Sequence, residues 1–336
     1  MASNNSVLVL GAHGGIGGEA ARQLRDAGWD VRALQRRTAQ PVEQREGITW
    51  IRGDALSARD VLAAAEGCSV IVHAVNPPGY RNWATLVLPM LDNSIAAACA
   101  KGATLVLPGT VYNFGPDALP VLTEASPQNP VTRKGAIRVE MERRLLAATK
   151  KGARVLIVRA GDYFGPKAGS NWFAQGLVKP GKAVHAVSNP GRRGAGHQWS
   201  YLPDVARIMV ELLARRESLE PFAAFHMAGH WDADGSQMVE SIRRVVERRT
   251  GTAPRIAGFP WWLVPLASPF NTTFRELSEM RYLWREPVQM DNARLTAVLG
   301  REPHTPLDEA VEATLIGLGC LAKPNSVEAG PAPSVA

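Results

Sequence analysis

A glycine-rich loop near the start of the chain constrains the fold more than any other feature of the sequence. It lies between the apolar run Ser6–Leu10 and residues 16–27, which are rich in helix formers and stop at Gly28. Such a strand–loop–helix unit lets the backbone turn tightly and points the free N–H groups of the helix at phosphate. The loop predicts dinucleotide binding; a glycine turn without a ligand is the alternative. The residues expected to contact the cofactor here are Gly11, His13, Gly14, Gly15, Ile16 and Gly17.

Strands and helices alternate through the first half of the chain. Helices are predicted from Ser57, over 83–101 and over 134–151. Because parallel strands need helical crossovers, this alternation predicts an α/β fold: a Rossmann-type doubly wound parallel sheet with a smaller C-terminal substrate-binding region. The further strands predicted from short apolar runs are Val31–Leu34, Ile48–Ile51, Val70–Val75, Thr104–Leu107 and Arg154–Val158.

The alternation ends near residue 160, and the chain is divided there. Residues 1–165 are predicted to form the NAD(P)-binding Rossmann domain. Residues 166–322 are predicted to form the substrate-binding region, with strands and helices interleaved with the Rossmann core. Residues 323–336 are expected to be a disordered tail. Within the second part, 165–200 is rich in Gly and Pro and is expected to be largely loop.

Composition excludes several classes of protein. The 336 residues are 46% hydrophobic and 21% charged, with 38 Lys and Arg against 31 Asp and Glu, but the basic residues are dispersed, so no nucleic-acid partner is expected. No apolar stretch is long enough for a membrane span, and no secretory signal is recognised. Three distant cysteines fit neither disulfides nor zinc, and the histidines lack ligand spacing. We therefore expect a cytoplasmic protein without a metal.

The end of the second predicted strand discriminates between the two common dinucleotides. NAD binders place a carboxylate there to hold the ribose 2′-hydroxyl group. This chain has Gln35 followed by Arg36 and Arg37. Because an arginine fork suits a 2′-phosphate, we expect Arg36, supplemented by Arg37, to bind NADP, with NAD as the alternative. A pair of surface arginines is the other interpretation.

Several segments follow the carboxyl ends of the predicted strands: the glycine loop, Gly53-Asp54, His73-Ala74-Val75-Asn76, Thr110-Val111-Tyr112, Arg159–Pro166 and, further on, Tyr201–Ala206. Together they resemble the short-chain dehydrogenase/reductase superfamily, and above all its extended branch with the NAD-dependent epimerase/dehydratase family. The resemblance covers roughly residues 6–230. It implies that Asp54 contacts the adenine, although a loop-capping role is the alternative. The other cofactor contacts that it implies are Ala55, Ala74, Val75, Asn76 and Tyr163.

The chain departs from this family at the catalytic residues. The family uses a Ser or Thr and a Tyr four residues before a Lys, yet residues 125–150 contain no tyrosine. In the matching register, Lys134 replaces the tyrosine and Arg138 replaces the lysine. Arg138 can bind the nicotinamide ribose but cannot take up a proton near neutral pH. Lys134, Tyr112 and Thr110 are the catalytic candidates; Lys134 and Arg138 as plain surface cations are the alternative.

The Gly/Pro-rich loop is expected to border the substrate pocket. The residues predicted to contact substrate are Arg192, Arg193, His197, Trp199 and Tyr201. The basic side chains indicate a small, acidic or phosphorylated substrate. The sequence is interpreted as an NAD(P)-dependent oxidoreductase or an epimerase/dehydratase-like enzyme that favours NADP(H). A catalytically silent dinucleotide sensor is the alternative, and the oligomeric state stays open, with a dimer as one option.

Overall fold

An eight-stranded sheet forms the centre of the molecule. The structure, a computed structural model, describes residues 5–77, 83–168, 171–267 and 278–323; the tail predicted at 323–336 lies outside these ranges from residue 324 onward. The helices and strands are β1 (Ser6–Leu10), α1 (Gly15–Asp26), β2 (Asp30–Gln35), β3 (Val42–Arg45), β4 (Ile48–Arg52), α2 (Ala58–Ala64), β5 (Val70–His73), α3 (Trp83–Lys101), β6 (Thr104–Thr110), β7 (Val121–Leu122), α4 (Arg133–Thr149), β8 (Arg154–Ala160), β9 (Asp162–Phe164), β10 (Ala186–Asn189), β11 (His197–Tyr201), α5 (Leu202–Leu213), β12 (Phe222–His226), β13 (His230–Asp232), α6 (Gln237–Thr250), β14 (Arg255–Gly258), α7 (Leu263–Ala267), β15 (Gln289–Met290), α8 (Ala293–Leu299) and α9 (Leu307–Gly317).

The strand order confirms the doubly wound prediction. The large sheet runs β12-β8-β6-β5-β1-β2-β4-β3. Neighbouring strands within this sheet pair in parallel, except that β3 pairs antiparallel with β4. The chain builds outward from β1 in one direction and from β5 in the other, so the order reverses between these two strands. Open α/β sheets bind ligands at such a switch point, beyond the carboxyl ends of the strands.

Local sequence explains most of the elements. Strand β1 is buried over its whole length, as its apolar run predicts. Ser57 caps helix α2 by accepting a hydrogen bond from the N–H of Asp60 at 3.2 Å. The expectation that 165–200 is largely loop is wrong in part, because β10 and β11 lie there. Both strands complete their hydrogen bonds with distant segments, β14 in one case and β9 and β13 in the other.

Three apolar clusters hold these layers together. Helices α1 and α5 cover one face of the large sheet, where Leu24 and Leu212 are buried. Helices α2, α3 and α4 cover the other face, and Leu91 lies at its centre. A third, aromatic-rich cluster lies in the C-terminal region and includes Trp199 and Trp284. No helix within the described ranges is long and apolar enough to cross a membrane.

Candidate functional site

The glycine loop between β1 and α1 approaches two other pieces of backbone closely. Gly11 has a φ of +88°, and a Cβ atom there would lie 2.5 Å from the carbonyl oxygen of Ala74. A Cβ atom on Gly17 would lie 2.3 Å from the carbonyl oxygen of Gly11. The N–H of Gly14 donates to that same oxygen at 2.8 Å. Glycine is thus required where the loop folds under the helix.

Helix α1 begins without a side-chain cap. Gly14 at the N-cap position offers no side chain, and the first turn contains no acidic residue. The first N–H groups and the positive end of the helix dipole are therefore not neutralised by the protein. His13 and Gly14 are exposed, whereas Gly15 and Ile16 are half-buried. The cradle fits the pyrophosphate of a dinucleotide, because it is narrow, glycine-lined and rich in N–H donors.

Arginines surround the end of strand β2. The side chains of Arg36 and Arg37 are exposed, and neither has a hydrogen bond or ion pair with another described residue. Gln35 accepts a hydrogen bond from Nη2 of Arg45 at 2.9 Å. A carboxylate, that of Glu43, does lie nearby, but Arg45 holds it at 2.9 Å. Sequence reasoning did not anticipate this third arginine, because strand β3 was not predicted.

An aromatic stack extends the same surface. The His13 ring lies over the Trp50 indole with centroids 4.6 Å apart, and the Arg45 guanidinium lies 4.4 Å from the centroid of the Trp50 ring. Asp54 adopts the loop-capping role in part, because its Oδ1 accepts from the N–H of Leu56 at 3.0 Å. The neighbouring Ala55 is buried. These groups form one wall beside the glycine loop.

The segment after β5 connects to helix α4 through an indole. Asn76 Oδ1 accepts a hydrogen bond from Nε1 of Trp83. The Arg138 guanidinium lies 5.5 Å from the Trp83 ring centroid, and its Nη1 donates to the carbonyl oxygen of Pro108 at 3.4 Å. Two predicted cofactor residues, Asn76 and Arg138, thus share one partner. Ala74 and Val75 support Gly11 from below.

Buried His73 lies directly beneath this segment. Its Nδ1 is 2.8 Å from the hydroxyl of Ser94, while its Nε2 is buried without a hydrogen-bond partner among the described residues. Burial, assisted by the charge of Arg138, lowers the pKa of His73 to about 3. The imidazole is therefore neutral at physiological pH and adds no charge to the cleft.

The three catalytic candidates lie at the end of β6 and the start of α4. Thr110 is buried, and its Oγ1 accepts from the N–H of Tyr112. Lys134 is buried in the first turn of α4, which Thr132 caps. A Cβ atom on Gly135 would lie 2.3 Å from the carbonyl oxygen of Tyr112, so the helix start packs directly on the Tyr112 backbone.

Two tyrosines among the candidates are held as neutral phenols. Tyr163 donates its hydroxyl to the carbonyl oxygen of Gly109 at 2.6 Å, and burial raises its pKa. Burial also raises the pKa of Tyr201 to about 12. Neither phenol can serve as a proton acceptor near neutral pH while it keeps this environment.

The predicted substrate residues divide between surface and core. Arg192 and Arg193 are exposed in a turn, where the N–H of Arg192 donates to the carbonyl oxygen of Trp284 at 3.0 Å. Trp199 and Tyr201 are buried on β11 and pack in the aromatic cluster. His197 is buried as well, with its ring stacked on Trp284 at 3.8 Å between centroids. The structure does not bring these five side chains to one surface.

Asp162 joins two of the predicted residues, although sequence reasoning did not single it out. Tyr112 donates its hydroxyl to Oδ1 of Asp162 at 2.9 Å, and Nε2 of His197 lies 2.9 Å from Oδ2. Nδ1 of His197 lies 3.1 Å from the carbonyl oxygen of Leu283. The available signal was the position of Asp162, two residues after the carboxyl end of β8.

The glycine loop, the uncapped helix and the strand order are together typical of α/β proteins that bind dinucleotides. Comparison of the chain with family models then identifies the group: the chain belongs to the NAD-dependent epimerase/dehydratase family, whose model matches residues 7–228. This confirms the resemblance inferred from the motifs. It also confirms the coarse functional assignment, a member of an enzyme family named for its dependence on NAD.

Curated relatives are distant. An uncharacterized protein, y4nL, of Sinorhizobium fredii is 30% identical over 216 residues, which cover 57% of this chain and 60% of that protein. A putative dihydroflavonol 4-reductase of Synechocystis is 25% identical over 316 residues, which cover 90% of this chain and 82% of the relative. The match thus spans less than two thirds of the Sinorhizobium protein.

Solved structures with the same fold include two that hold a sugar nucleotide and NAD. MoeE5, in complex with UDP-glucose and NAD, matches with a TM-score of 0.69 and 20% identity over 93% of this chain and 98% of MoeE5. UDP-glucuronic acid 4-epimerase from Bacillus cereus, in complex with UDP-glucuronic acid and NAD, matches with a TM-score of 0.70 and 16% identity over 93% and 98%. At this identity the likeness extends to the fold alone.

Proposed function

We propose that this chain is an NADP(H)-dependent oxidoreductase or epimerase-like enzyme of the cytoplasm. Its substrate is a small molecule that carries a carboxylate or phosphate group. The bound cofactor supplies hydride exchange with a carbonyl or alcohol carbon of the substrate. The protein holds the cofactor through the glycine loop and α1, and it orients the nicotinamide ribose through Arg138.

One observation supports the choice of cofactor above the others. Arg36 and Arg37 are exposed and without a partner among the described residues, and they follow β2, the strand that pairs with β1 ahead of the uncapped helix start. Unpaired guanidinium groups at this point suit a 2′-phosphate, and the nearby carboxylate of Glu43 is engaged by Arg45. NAD would leave this positive charge without a counterion, since it has no 2′-phosphate.

Charge and position suggest how the substrate binds. Arg192 and Arg193 are exposed and lie in the turn that precedes β11. Cationic side chains there would attract an anionic substrate and hold it by charge-assisted hydrogen bonds. Lys134, Thr110 and Tyr112 are the proposed groups that contact the reacting carbon and oxygen, because they cluster at the carboxyl end of β6.

The cofactor proposal is tested by titrating the pure protein with NADPH, NADP, NADH and NAD, followed by tryptophan quenching and nicotinamide fluorescence. We expect the phosphorylated pair to bind more tightly. Arg36→Ala should weaken NADPH binding by about 10- to 100-fold, since it removes a hydrogen bond to a charged group, and leave NADH unchanged. Arg243→Ala on α6 is the matched control. Tighter binding of NAD or NADH would refute the assignment.

The reaction is tested with a defined panel of dihydroquercetin, phenanthrenequinone, UDP-glucose and UDP-glucuronic acid. Nicotinamide absorbance follows net oxidation or reduction, and chromatography follows epimerised products. Conversion of any member supports an enzyme. Tight NADPH binding with no conversion would favour the alternative, a dinucleotide sensor, for which the missing tyrosine in 125–150 is the supporting observation. A sensor must distinguish the two redox states, because a ligand of equal affinity shifts no equilibrium.

A further inference from the structure

A continuous chain of hydrogen bonds leads from the end of β6 into the C-terminal region. Tyr112 follows β6, Asp162 begins β9 and His197 begins β11. The Tyr112 hydroxyl donates to Asp162 at 2.9 Å, and the other Asp162 oxygen lies 2.9 Å from His197 Nε2. Asp162 and His197 are 6% and 5% exposed, whereas Tyr112 is half-buried. Tyr112, which follows the carboxyl end of β6, is therefore the most accessible of the three residues.

The donors and acceptors along this series of hydrogen bonds determine how many protons it holds. A carbonyl oxygen only accepts, so His197 Nδ1 carries a hydrogen toward Leu283. His197 Nε2 and Asp162 Oδ2 then face each other, and one proton must lie between them for a hydrogen bond to form. The pair thus holds one proton more than a neutral imidazole beside an ionised carboxylate. Asp162 Oδ1 accepts from Tyr112 in either arrangement.

Other titratable groups around the pair are few and engaged elsewhere. On β13, Asp232 accepts from the N–H groups of Gln237 and Met238, both at 3.0 Å, and His230 has its pKa lowered to about 4 by burial. Tyr282 donates to the carbonyl oxygen of Phe114. Its pKa is raised, first by burial and then by the charge of Asp162.

Aromatic rings fix the orientation of His197. Its imidazole is stacked on Trp284 with an interplanar angle of 8°, and Trp199 meets it edge-on at 5.0 Å. Arg281 in the same turn lies over the ring of Trp261 instead of toward the pair. A locked ring between two hydrogen-bond partners suits proton transfer, because no reorganisation is needed between steps.

We propose that Tyr112, Asp162 and His197 form the proton relay of the site, with Tyr112 as the acid/base group in place of the tyrosine that residues 125–150 lack. This inference rests on the proposed oxidoreductase function. Bound NADPH would supply a hydride, with its two electrons, to the substrate carbonyl carbon, and Tyr112 Oη donates its proton to the carbonyl oxygen. Asp162 and His197 pass their shared proton to Tyr112, and a proton from water later returns to the pair through Tyr112, the accessible end of the relay. The reverse sequence serves alcohol oxidation.

The first test needs no substrate. In proton NMR spectra of the full chain, the shared proton should give a strongly downfield signal. We expect this signal to disappear in Asp162→Asn and His197→Gln and to move in Tyr112→Phe. It should be unchanged in His230→Gln and Tyr282→Phe, which alter the same residue types outside the relay. Absence of the signal in the native chain, or its persistence in Asp162→Asn, overturns the relay.

The second test uses the panel member that the native chain converts. Tyr112→Phe should lower kcat by about 100-fold or more, as expected for loss of a general acid, with the Kd for NADPH unchanged. His197→Gln should lower kcat less and shift the pH dependence of kcat. His230→Gln and Tyr282→Phe should match the native profile. Unchanged kcat in Tyr112→Phe refutes the relay while NADPH-coupled conversion upholds the proposed function.

Failure of the two proposals can be told apart. If no panel member is converted although NADPH binds, the oxidoreductase function fails and the catalytic use of the relay fails with it; the NMR signal then still decides whether the shared proton exists. Melting temperatures of all variants identify any that fail to fold. Asp162→Asn keeps the side-chain shape, whereas Asp162→Glu keeps the carboxylate and should retain part of the native pH dependence of kcat.

Discussion

A buried ion pair between helix α4 and strand β8 offers a sharp test of the energetics. Glu142 and Arg159 form two parallel bonds, with Nε to Oε1 at 2.9 Å and Nη2 to Oε2 at 2.6 Å. Their side chains are only 7% and 3% exposed. Gln128 adds a hydrogen bond to Glu142 at 3.0 Å, and Arg159 Nη1 lies 3.0 Å from Nε2 of His226. The guanidinium depends on this carboxylate for charge balance.

Replacing Glu142 by Gln should therefore lower the free energy of unfolding by about 3–5 kcal/mol, the cost of leaving one buried charge unpaired. The matched control is Glu140→Gln on the same helix. Glu140 binds Arg144 at 2.8 Å, but both side chains are near 30% exposed, so water replaces the lost partner and the loss should be small. Urea denaturation followed by circular dichroism measures both variants.

A double variant separates charge from packing. Glu142→Gln combined with Arg159→Met removes both charges, so it should recover much of the stability lost in Glu142→Gln alone. The reasoning is refuted if Glu142→Gln costs no more than Glu140→Gln. It is also refuted if the double variant loses more free energy of unfolding than the two single variants lose together.

Three further predictions follow from local geometry. Gly17→Ala should abolish NADPH binding with the circular dichroism retained, because its Cβ would lie 2.3 Å from the Gly11 carbonyl oxygen; Gly258→Ala, with open space around it, is the control. Burial, and after it the charge of Arg159, lowers the pKa of His226 to about 3. The folded protein therefore keeps this ring neutral, whereas in the unfolded chain the ring has its ordinary pKa of 6.5. The stability that depends on a neutral His226 should be complete above pH 6.5 and fall by about 1.4 kcal/mol per pH unit below it, in addition to the losses expected from buried His73 and His230; His226→Gln should reduce the total slope in urea titrations. Ser57→Ala should cost about 1 kcal/mol in thermal unfolding through loss of the α2 cap, and an unchanged melting temperature would contradict that role.

Signals that the sequence carried locally were sufficient for much of the fold. The apolar run of β1 and the glycines behind it define the first unit, since both act within about ten residues. Ser57 and the helix that it caps are equally local. Strand β12, Phe222–His226, likewise coincides with a short apolar run. Each of these elements makes its backbone hydrogen bonds within a short sequence segment or with a neighbouring parallel strand.

Elements that depend on distant partners were not predictable in the same way. Strand β11 lies in a Gly/Pro-rich stretch and forms because β9 and β13 supply its hydrogen bonds. Arg45 reaches Gln35 only because β3 folds back on β4. Asp162 reads in sequence as one residue of a family segment, and its contacts with Tyr112 and His197 bridge 50 and 35 positions. Periodicity and motif spacing do not predict such contacts between residues that are far apart in the sequence.

Strand β12 also binds the two halves of the chain into one cooperative unit. After β8 the chain leaves the large sheet, contributes to the C-terminal region, and returns as α5 and β12, where Phe222–His226 pairs with Val155–Arg159. A fragment that stopped at residue 165 would lack both elements. It would present the open backbone of β8 as a template for aggregation and the apolar face of α1 to water. Neither half can therefore be excised as a working module, and an engineered fusion or split of this chain has to leave the passage from β8 to β12 intact.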